Sequence, residues 1–380
     1  MPLFEKGSRS RRALFGCITS FGVTLILLFA IELFLRVHAT QVVAAGANSK
    51  HGSLQSNPEL LIYYTPKGKR LIPNSHVIIK NYRHMNRDIK MDINSLGLRD
   101  DEIPVVKKKN EIRVLVLGDS ITWGDFLQAD EVYMKQAEKK LNQSANDTYR
   151  MINAGIGDAG TREEIDLLVE RGLSVQPDIV ALSFYLNDSR PPWGFPSEMG
   201  SRGWLRRNSV FAETVYREFK LASWIRDKGE DRFAWISARE QLPWARDRNA
   251  FMKLVALASY DWGAAWRSDS WRTVDPELQE LETLSRQHNF KVLIIGFPVA
   301  FQVYSSFVED RPQSMLAKKA AEHDFYYLDL LPLLRANRGQ HLFFDHCHPN
   351  EFANRLIGNA LADYIQHSML QTRKITASGS

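Results

Sequence analysis

The chain has 380 residues, 44% of them apolar and 24% charged, an ordinary globular composition with length for one catalytic-sized domain and appendages. Its formal net charge of +5 is concentrated at the amino terminus, where Lys6, Arg9, Arg11 and Arg12 against Glu5 supply about +3 of it and leave the rest near neutral. No basic stripe interleaved with aromatics follows, which argues against a nucleic-acid partner.

Residues 1–12 read as a basic cytoplasmic tail. Residues 13–35, ALFGCITSFGVTLILLFAIELFL, are almost wholly apolar. At about 1.5 Å of rise per residue they span the roughly 30 Å hydrocarbon core with some tilt, so they predict a transmembrane anchor. The basic flank before it places the amino terminus in the cytoplasm and everything after Arg36 on the other side, periplasmic or extracellular. Glu32, the one charge inside, lies close enough to the outer end to reach the interface. A cleaved signal peptide is the competing reading, since small residues follow at Ala39, Ala44 and Ala45, but the run is longer than a usual signal core. No apolar region precedes Cys17, so it reads as a buried membrane thiol. It lies across or outside the membrane from Cys347, the other cysteine, which argues against a disulfide between them.

Residues 36–60, rich in Ala, Ser, Asn and Gly, read as a linker, and residues 61–110 as an extension of strands or an extended wrap around the domain that follows. From Ile112 the signal sharpens. Ile112 to Leu117 is a nearly continuous apolar run ending in Gly118-Asp119-Ser120, the mark of a buried parallel strand. Similar runs recur at Met151 to Ala154, Ile179 to Phe184 and Val292 to Ile295. Between and after them come three helical patterns. The first starts at Thr161 with a capping box to Glu164 and presents Ile165, Leu168 and Val169. The second runs from about Pro276 to His288. The third, from Glu351, aligns Phe352, Leu356, Ala360 and Tyr364. This alternation predicts an open α/β domain over 111–370 with helices on both faces and its site at the carboxyl ends of the strands. Residues 189–275 interrupt the rhythm with Pro191-Pro192, many arginines and eight of the nine tryptophans. They form an insertion whose aromatics either pack a small core of their own or line an acceptor groove. Residues 371–380 are a tail.

A hydroxyl becomes a nucleophile when a base takes its proton, and the base is dependable when a third group fixes its tautomer. Ser120 directly follows a buried strand, where a strand-to-helix turn presents it at the sheet edge. Asp345-His346-Cys347-His348-Pro349 places a carboxylate three residues before an imidazole, and a helix starting near Asn350 holds that loop. Asp345 can then orient His348 toward Ser120. Oxyanion donors are available after the third strand in Asn187, and after the second in the glycine-rich turn from Asn153 to Thr161 that contains Gly157, Asp158 and Gly160.

With Gly118-Asp119-Ser120-Ile121-Thr122-Trp123-Gly124, Leu186-Asn187-Asp188 and Asp345-His346-Cys347-His348-Pro349 in this order, the chain resembles the SGNH, or GDSL-type, hydrolase family over roughly residues 110–370. The resemblance implies a flavodoxin-like three-layer sandwich around a parallel sheet, here preceded by one transmembrane helix. It implies Ser120 as nucleophile, His348 as general base, Asp345 as orienting acid, and an oxyanion hole of the Ser120 N–H, Asn187 and the Gly157-Asp158 backbone. It implies no cofactor. Two positions depart from the family pattern. Asp158 stands where an oxyanion-hole glycine is usual, and a carboxylate there opposes the developing charge unless its side chain turns away. Tyr185 replaces a glycine often found two residues before the asparagine.

The competing local readings are weaker. Asp119 also serves as a cap of its turn, and Asn187-Asp188-Ser189 is formally a glycosylation sequon at an unfavourable place, a strand end. His341, His346, Cys347 and His348 are potential zinc ligands, but adjacent residues rarely converge on one metal, so no metal is expected. The G-x-S-x-G elbow of α/β-hydrolases is absent around Ser120. The expectation is a membrane-anchored, extracytoplasmic serine esterase, possessing deacetylase chemistry if the acyl group is acetyl, acting on an acylated carbohydrate or lipid. An O-acyltransferase modifying an envelope polysaccharide with the same triad is the second reading, and a catalytically degenerate glycan- or partner-binding domain the third. Nothing in the sequence specifies an oligomeric state.

Overall fold

The computed structural model describes residues 6–47, 53–55, 61–65, 67–79, 87–144, 147–189, 209–218 and 234–369. Trp193, Trp204 and Trp224 of the insertion and residues 48–52, 56–60 and 370–380 lie outside the described residues, while 36–47, read from the sequence as linker, continue the first helix.

A single helix, Lys6–Ala47, opens the chain. Within it Leu14–Val37 has a mean hydropathy of 2.4 and is long and apolar enough to cross a membrane. Its large apolar side chains face outward, Phe15 at 73% exposure and Phe29 at 71%, as a lipid-facing surface requires.

Five short strands follow. β1 (Ser53–Gln55) pairs in parallel with β4 (His76–Ile79), which pairs antiparallel with β5 (Ile89–Asp92), while β2 (Ile62–Thr65) and β3 (Gly68–Leu71) form a hairpin. β4 and β5 alternate buried and outward residues, and Val77, Ile79, Ile89, Met91 and Leu98 join the main hydrophobic core. Residues 61–110 are thus built onto the domain that follows.

The centre of the molecule is a five-stranded, wholly parallel sheet of β6 (Glu111–Gly118), β7 (Thr148–Gly155), β8 (Ile179–Tyr185), β9 (Lys291–Phe297) and β10 (Tyr326–Asp329). The spatial order is β7-β6-β8-β9-β10, the flavodoxin-like order, with one reversal of direction between β7 and β8. β6 and β8 are buried at every residue, because central parallel strands are covered on both faces. β10, at the edge and only half-buried, carries too little apolar sequence to announce itself. With this strand order, the right-handed crossover rule for parallel strands assigns the β6–β7 helix to one face and the three later crossovers to the other, a three-layer sandwich. On the first face helix Tyr133–Ser144 packs along the last helix, Glu351–Tyr364. On the second, Thr161–Glu170 packs on Trp271–His288.

Three helical details differ from the sequence reading. Helix Thr161–Glu170 has no capping box: Gly160 is its N-cap without a side-chain bond, Glu164 is buried, and Val169 is 42% exposed. The helix read from about Pro276 begins earlier, at Trp271, so Pro276 stands inside it as the sixth residue, where its missing N–H costs one i→i−4 bond without ending the helix. The buried stripe of Glu351–Tyr364 is Ala353, Asn354, Ile357, Gly358, Leu361 and Ala362, while Phe352 is exposed. Small residues on that stripe permit close approach. A Cβ at Gly358 would lie 2.6 Å from the Tyr133 carbonyl.

The described part of the insertion consists of helices Val210–Glu218, Ala234–Gln241 and Arg248–Leu257 and a 3-10 turn at Trp262–Trp266. Trp235, Trp262, Trp266 and Trp271 are buried in the common core, where Trp235 meets Trp262 edge-on at 5.9 Å and Trp271 stacks on Phe184 at 5.7 Å.

Candidate active site

The register of the sheet assembles the site. Gly118, at the end of β6, pairs with Gly155 of β7 on one side and Ser183 of β8 on the other. Residues two to four positions beyond these partners, namely Ser120, Gly157, Asp158 and Asn187, therefore emerge from adjacent strand ends, at the point where the strand order reverses.

Ser120 starts a single helical turn, Ser120–Trp123. Asp119 is its N-cap, accepting from the Ile121 N–H at 2.9 Å, and Gly124 ends it in a left-handed conformation, φ 84°. The turn lies close against β7, since a Cβ on Gly155 would sit 2.2 Å from the Trp123 nitrogen. Below it, the Tyr133 hydroxyl bonds Ser183 Oγ at 2.5 Å and Thr122 Oγ1 at 3.1 Å. This buried bridge joins β8 to the Ser120 turn.

The second component is the loop 344–350. The Phe344 N–H donates to the His348 carbonyl at 2.8 Å, and an isolated bridge pairs Phe343 with Pro349. Asn350 caps the last helix by accepting from the Ala353 N–H at 3.0 Å. Asp345 Oδ1 accepts the backbone N–H groups of Cys347 at 2.8 Å and His348 at 2.9 Å. Its other oxygen receives His348 Nδ1 at 2.7 Å, and His348 Nε2 stands 2.8 Å from Ser120 Oγ. In the neutral tautomer that satisfies both bonds, Nδ1 donates to Asp345 and Ser120 donates to Nε2.

The electrostatics follow from these contacts. Burial pushes Asp345 up, but the bonds and charge of His348, with His346 and the Cys347 N–H, hold it far below the usual carboxylate range. Burial opposes charge on His348, yet Asp345 first, then Asp125 and Asp119, raise its pKa above the ordinary histidine value. Asp125 Oδ2 lies 3.8 Å from Nε2. Burial depresses neighbouring His346 to about 4. Asp345, Cys347 and His348 also bring potential ligand atoms within 4.8 Å of one another. Both nitrogens of His348 are already engaged, however, and burial keeps the Cys347 thiol protonated, so this donor set fits a hydrogen-bonded triad better than a metal.

Asp158 has φ 60°, the left-handed region that favours glycine and tolerates aspartate. Its carboxylate accepts from Lys69 Nζ of β3 at 2.7 Å, and the same amine reaches the Gly157 and Asp158 carbonyls at 3.3 Å. Gly157 borders open space, with nothing within 4 Å of where a Cβ would stand. Asn187 lies in the turn Leu186–Ser189, and its Oδ1 is buried and accepts no hydrogen bond among the described residues.

Sequence reasoning missed the supporting residues. Arg99, 1% exposed, donates to the carbonyls of Trp123 (2.6 Å), Gly124 (2.9 Å) and Leu127 (2.6 Å). Arg87 donates to the Phe126 carbonyl at 2.6 Å and pairs with Glu131 at 2.9 Å. Phe126 takes a left-handed φ of 70° and sets its ring edge-on to His348 at 5.3 Å. Beside Asp345, a groove of about 420 Å³ is lined by Trp244, Phe301, Tyr304, Phe344, His346 and Arg239 among others. Trp244 Nε1 bonds the Arg239 carbonyl at 2.9 Å and Tyr304 accepts the Leu342 N–H at 2.8 Å, which fixes both rings.

No family model matches the chain, and no curated protein matches it. Among solved structures it is similar to the acetyl xylan esterase AlAXEase, at 18% identity over 67% of this chain and 100% of that one, with a TM-score of 0.39. It is similar to a lipase/acylhydrolase from Enterococcus faecalis, at 15% identity over 67% of this chain and 95% of that one, with a TM-score of 0.38. It is likewise similar to a catalytic mutant of an acetylxylan esterase from Geobacillus stearothermophilus, at 12% identity over 69% and 96%, with a TM-score of 0.39.

Proposed function

We propose that the chain is a serine ester hydrolase of the SGNH, or GDSL, type, anchored by residues 13–35 with its catalytic domain on the extracytoplasmic side. The observation that carries the activity is the continuous relay of Ser120 Oγ, His348 and Asp345, with links of 2.8 and 2.7 Å. Ser120 Oγ attacks the ester carbonyl while its proton passes to His348 Nε2, and Asp345 stabilises the imidazolium. Collapse of the tetrahedral intermediate gives the acyl-enzyme, and His348 protonates the departing alkoxide. Water then attacks with His348 again as base, releasing the acid and regenerating Ser120. The Ser120 N–H, the Gly157-Asp158 backbone and the Asn187 amide are assigned to the oxyanion, each donor contributing about 3 kcal/mol.

The groove beside Asp345 supports a carbohydrate ester as substrate. Fixed ring faces at Trp244 and Tyr304 suit sugar faces, and Arg239, His341 and Glu240 suit hydroxyls, whereas an acyl chain would strip these polar groups of water without replacing their bonds. The test is labelling of the full chain by a serine-directed fluorophosphonate and turnover of p-nitrophenyl acetate. Wild type labels and turns over, while Ser120→Ala does not label and His348→Ala loses activity by about 10³-fold or more. A folded wild type that does neither refutes the assignment. Added oligosaccharide separates hydrolysis from transfer, since acylated glycan accumulating in place of free acid identifies an acyltransferase. For the topology, a reporter active only outside the cytoplasm, fused after residue 380, is expected to be active.

A further inference from the structure

The anchor meets the insertion at one polar point. Glu32 lies five residues before the end of the apolar span Leu14–Val37, about 8 Å inside its outer limit. Its carboxylate is surrounded by donors. Oε1 accepts from Arg36 Nε at 2.7 Å and from the Val210 N–H at 3.0 Å, and Oε2 accepts from Ser209 Oγ at 2.9 Å and from the Phe211 N–H at 2.8 Å. Val210 and Phe211 are the first residues of the nine-residue helix Val210–Glu218, so Glu32 supplies, from a segment nearly 180 residues away in sequence, what an N-cap supplies locally. Ser209 completes the cap by accepting from the Ala212 N–H at 3.0 Å.

We propose that Glu32 is a latch that holds the insertion against the membrane anchor. This rests on the reading of residues 13–35 as a retained span. A carboxylate near the edge of the hydrocarbon is costly unless it is bonded. Here an arginine, a hydroxyl and two helix-terminal N–H groups surround it, and the positive end of the helix dipole faces its charge. Low dielectric at that depth strengthens each bond. The helix Val210–Glu218 is therefore an interfacial element, its amino end pinned just inside the outer headgroup layer.

Hydrogen exchange of the full chain in lipid nanodiscs tests this. In wild type the amides of residues 210–212 exchange slowly. In Glu32→Ala they exchange at least about tenfold faster, in Glu32→Gln by an intermediate factor, and in the neighbouring control Leu33→Ala at the wild-type rate. Fluorophosphonate labelling of Ser120 at the wild-type rate in Glu32→Ala establishes that the domain is folded. An embedded, labelled Glu32→Ala chain with wild-type exchange at 210–212 overturns the latch alone. A mature chain whose intact mass lacks the N-terminal helix overturns the anchor, and the latch with it.

Discussion

Ser120 stands at the end of a hydrogen-bonded chain of two groups that differ in how they carry charge. Asp345 stays ionised far below the ordinary carboxylate range, while His348 holds a proton to higher pH than an ordinary histidine. In the proposed mechanism the free base is the active form, so kcat/KM is expected to fall as pH drops through the His348 pKa, with that acid limb above the usual value of 6.5. Asp345→Asn removes the main raising contact. It is expected to shift the limb downward and to lower the plateau by about 10³-fold or more. A pH–rate profile of p-nitrophenyl acetate hydrolysis checks both, and an unmoved limb refutes the assignment of Asp345. A second residue, Glu164, is 1% exposed and its oxygens have no hydrogen-bond partner among the described residues. Burial first, then the charges of Asp188 and Asp119, raise its pKa well above 4.5. The unfolded chain ionises it at lower pH than the folded one, so stability is lost as pH rises from about 4.5 through the raised folded value. Glu164→Gln removes that loss. Its melting temperature should exceed that of wild type by more at pH 8 than at pH 5, and an equal gap at both would refute the linkage.

At the scale of elements, the Ser120 turn is held from two directions. Gly155 lets β7 approach it, and Arg99 bonds three carbonyls of the loop that leaves it. A Cβ on Gly155 meets the backbone of Thr122 and Trp123 at 2.5 and 2.2 Å, which no rotamer change relieves. Gly155→Ala should therefore cost about 1–3 kcal/mol of stability and displace Ser120. Gly157→Ala, in open space, should unfold at the wild-type denaturant midpoint, and coincident midpoints for all three chains would contradict the account. The central strands were legible because β6 and β8 carry nearly continuous apolar runs. The face of Glu351–Tyr364 was misread because Ala353 and Gly358 pack there, and close approach by small residues leaves no stripe of large ones. Glu164 imitated half of a capping box although it is buried, near the charges of Asp188 and Asp119.

At the scale of the molecule, the extension over residues 61–110 and the domain form one electrostatic unit. Lys69, from the β2–β3 hairpin, donates to the Asp158 carboxylate at 2.7 Å and sets a positive charge beside it. Lys69→Ala is expected to lower kcat/KM about tenfold by freeing that charge near the oxyanion. Adding Asp158→Gly, which suits the left-handed backbone, should restore most of the loss. A double-mutant cycle on ester hydrolysis measures the coupling, and additive losses would refute it. By itself the sequence determined the features that local chemistry encodes: the parallel strands, the serine at a strand end, the carboxylate three residues before a histidine and the apolar span. These depend on period, run length and short spacing. Only the tertiary structure decided that Arg87 and Arg99 hold the loop after Ser120, that Lys69 answers Asp158, that four tryptophans of the insertion join the core, and that Glu32 caps a distant helix. Those contacts join segments from tens to nearly 180 residues apart, and a contact made by folding over such distances leaves no periodicity in the sequence to read.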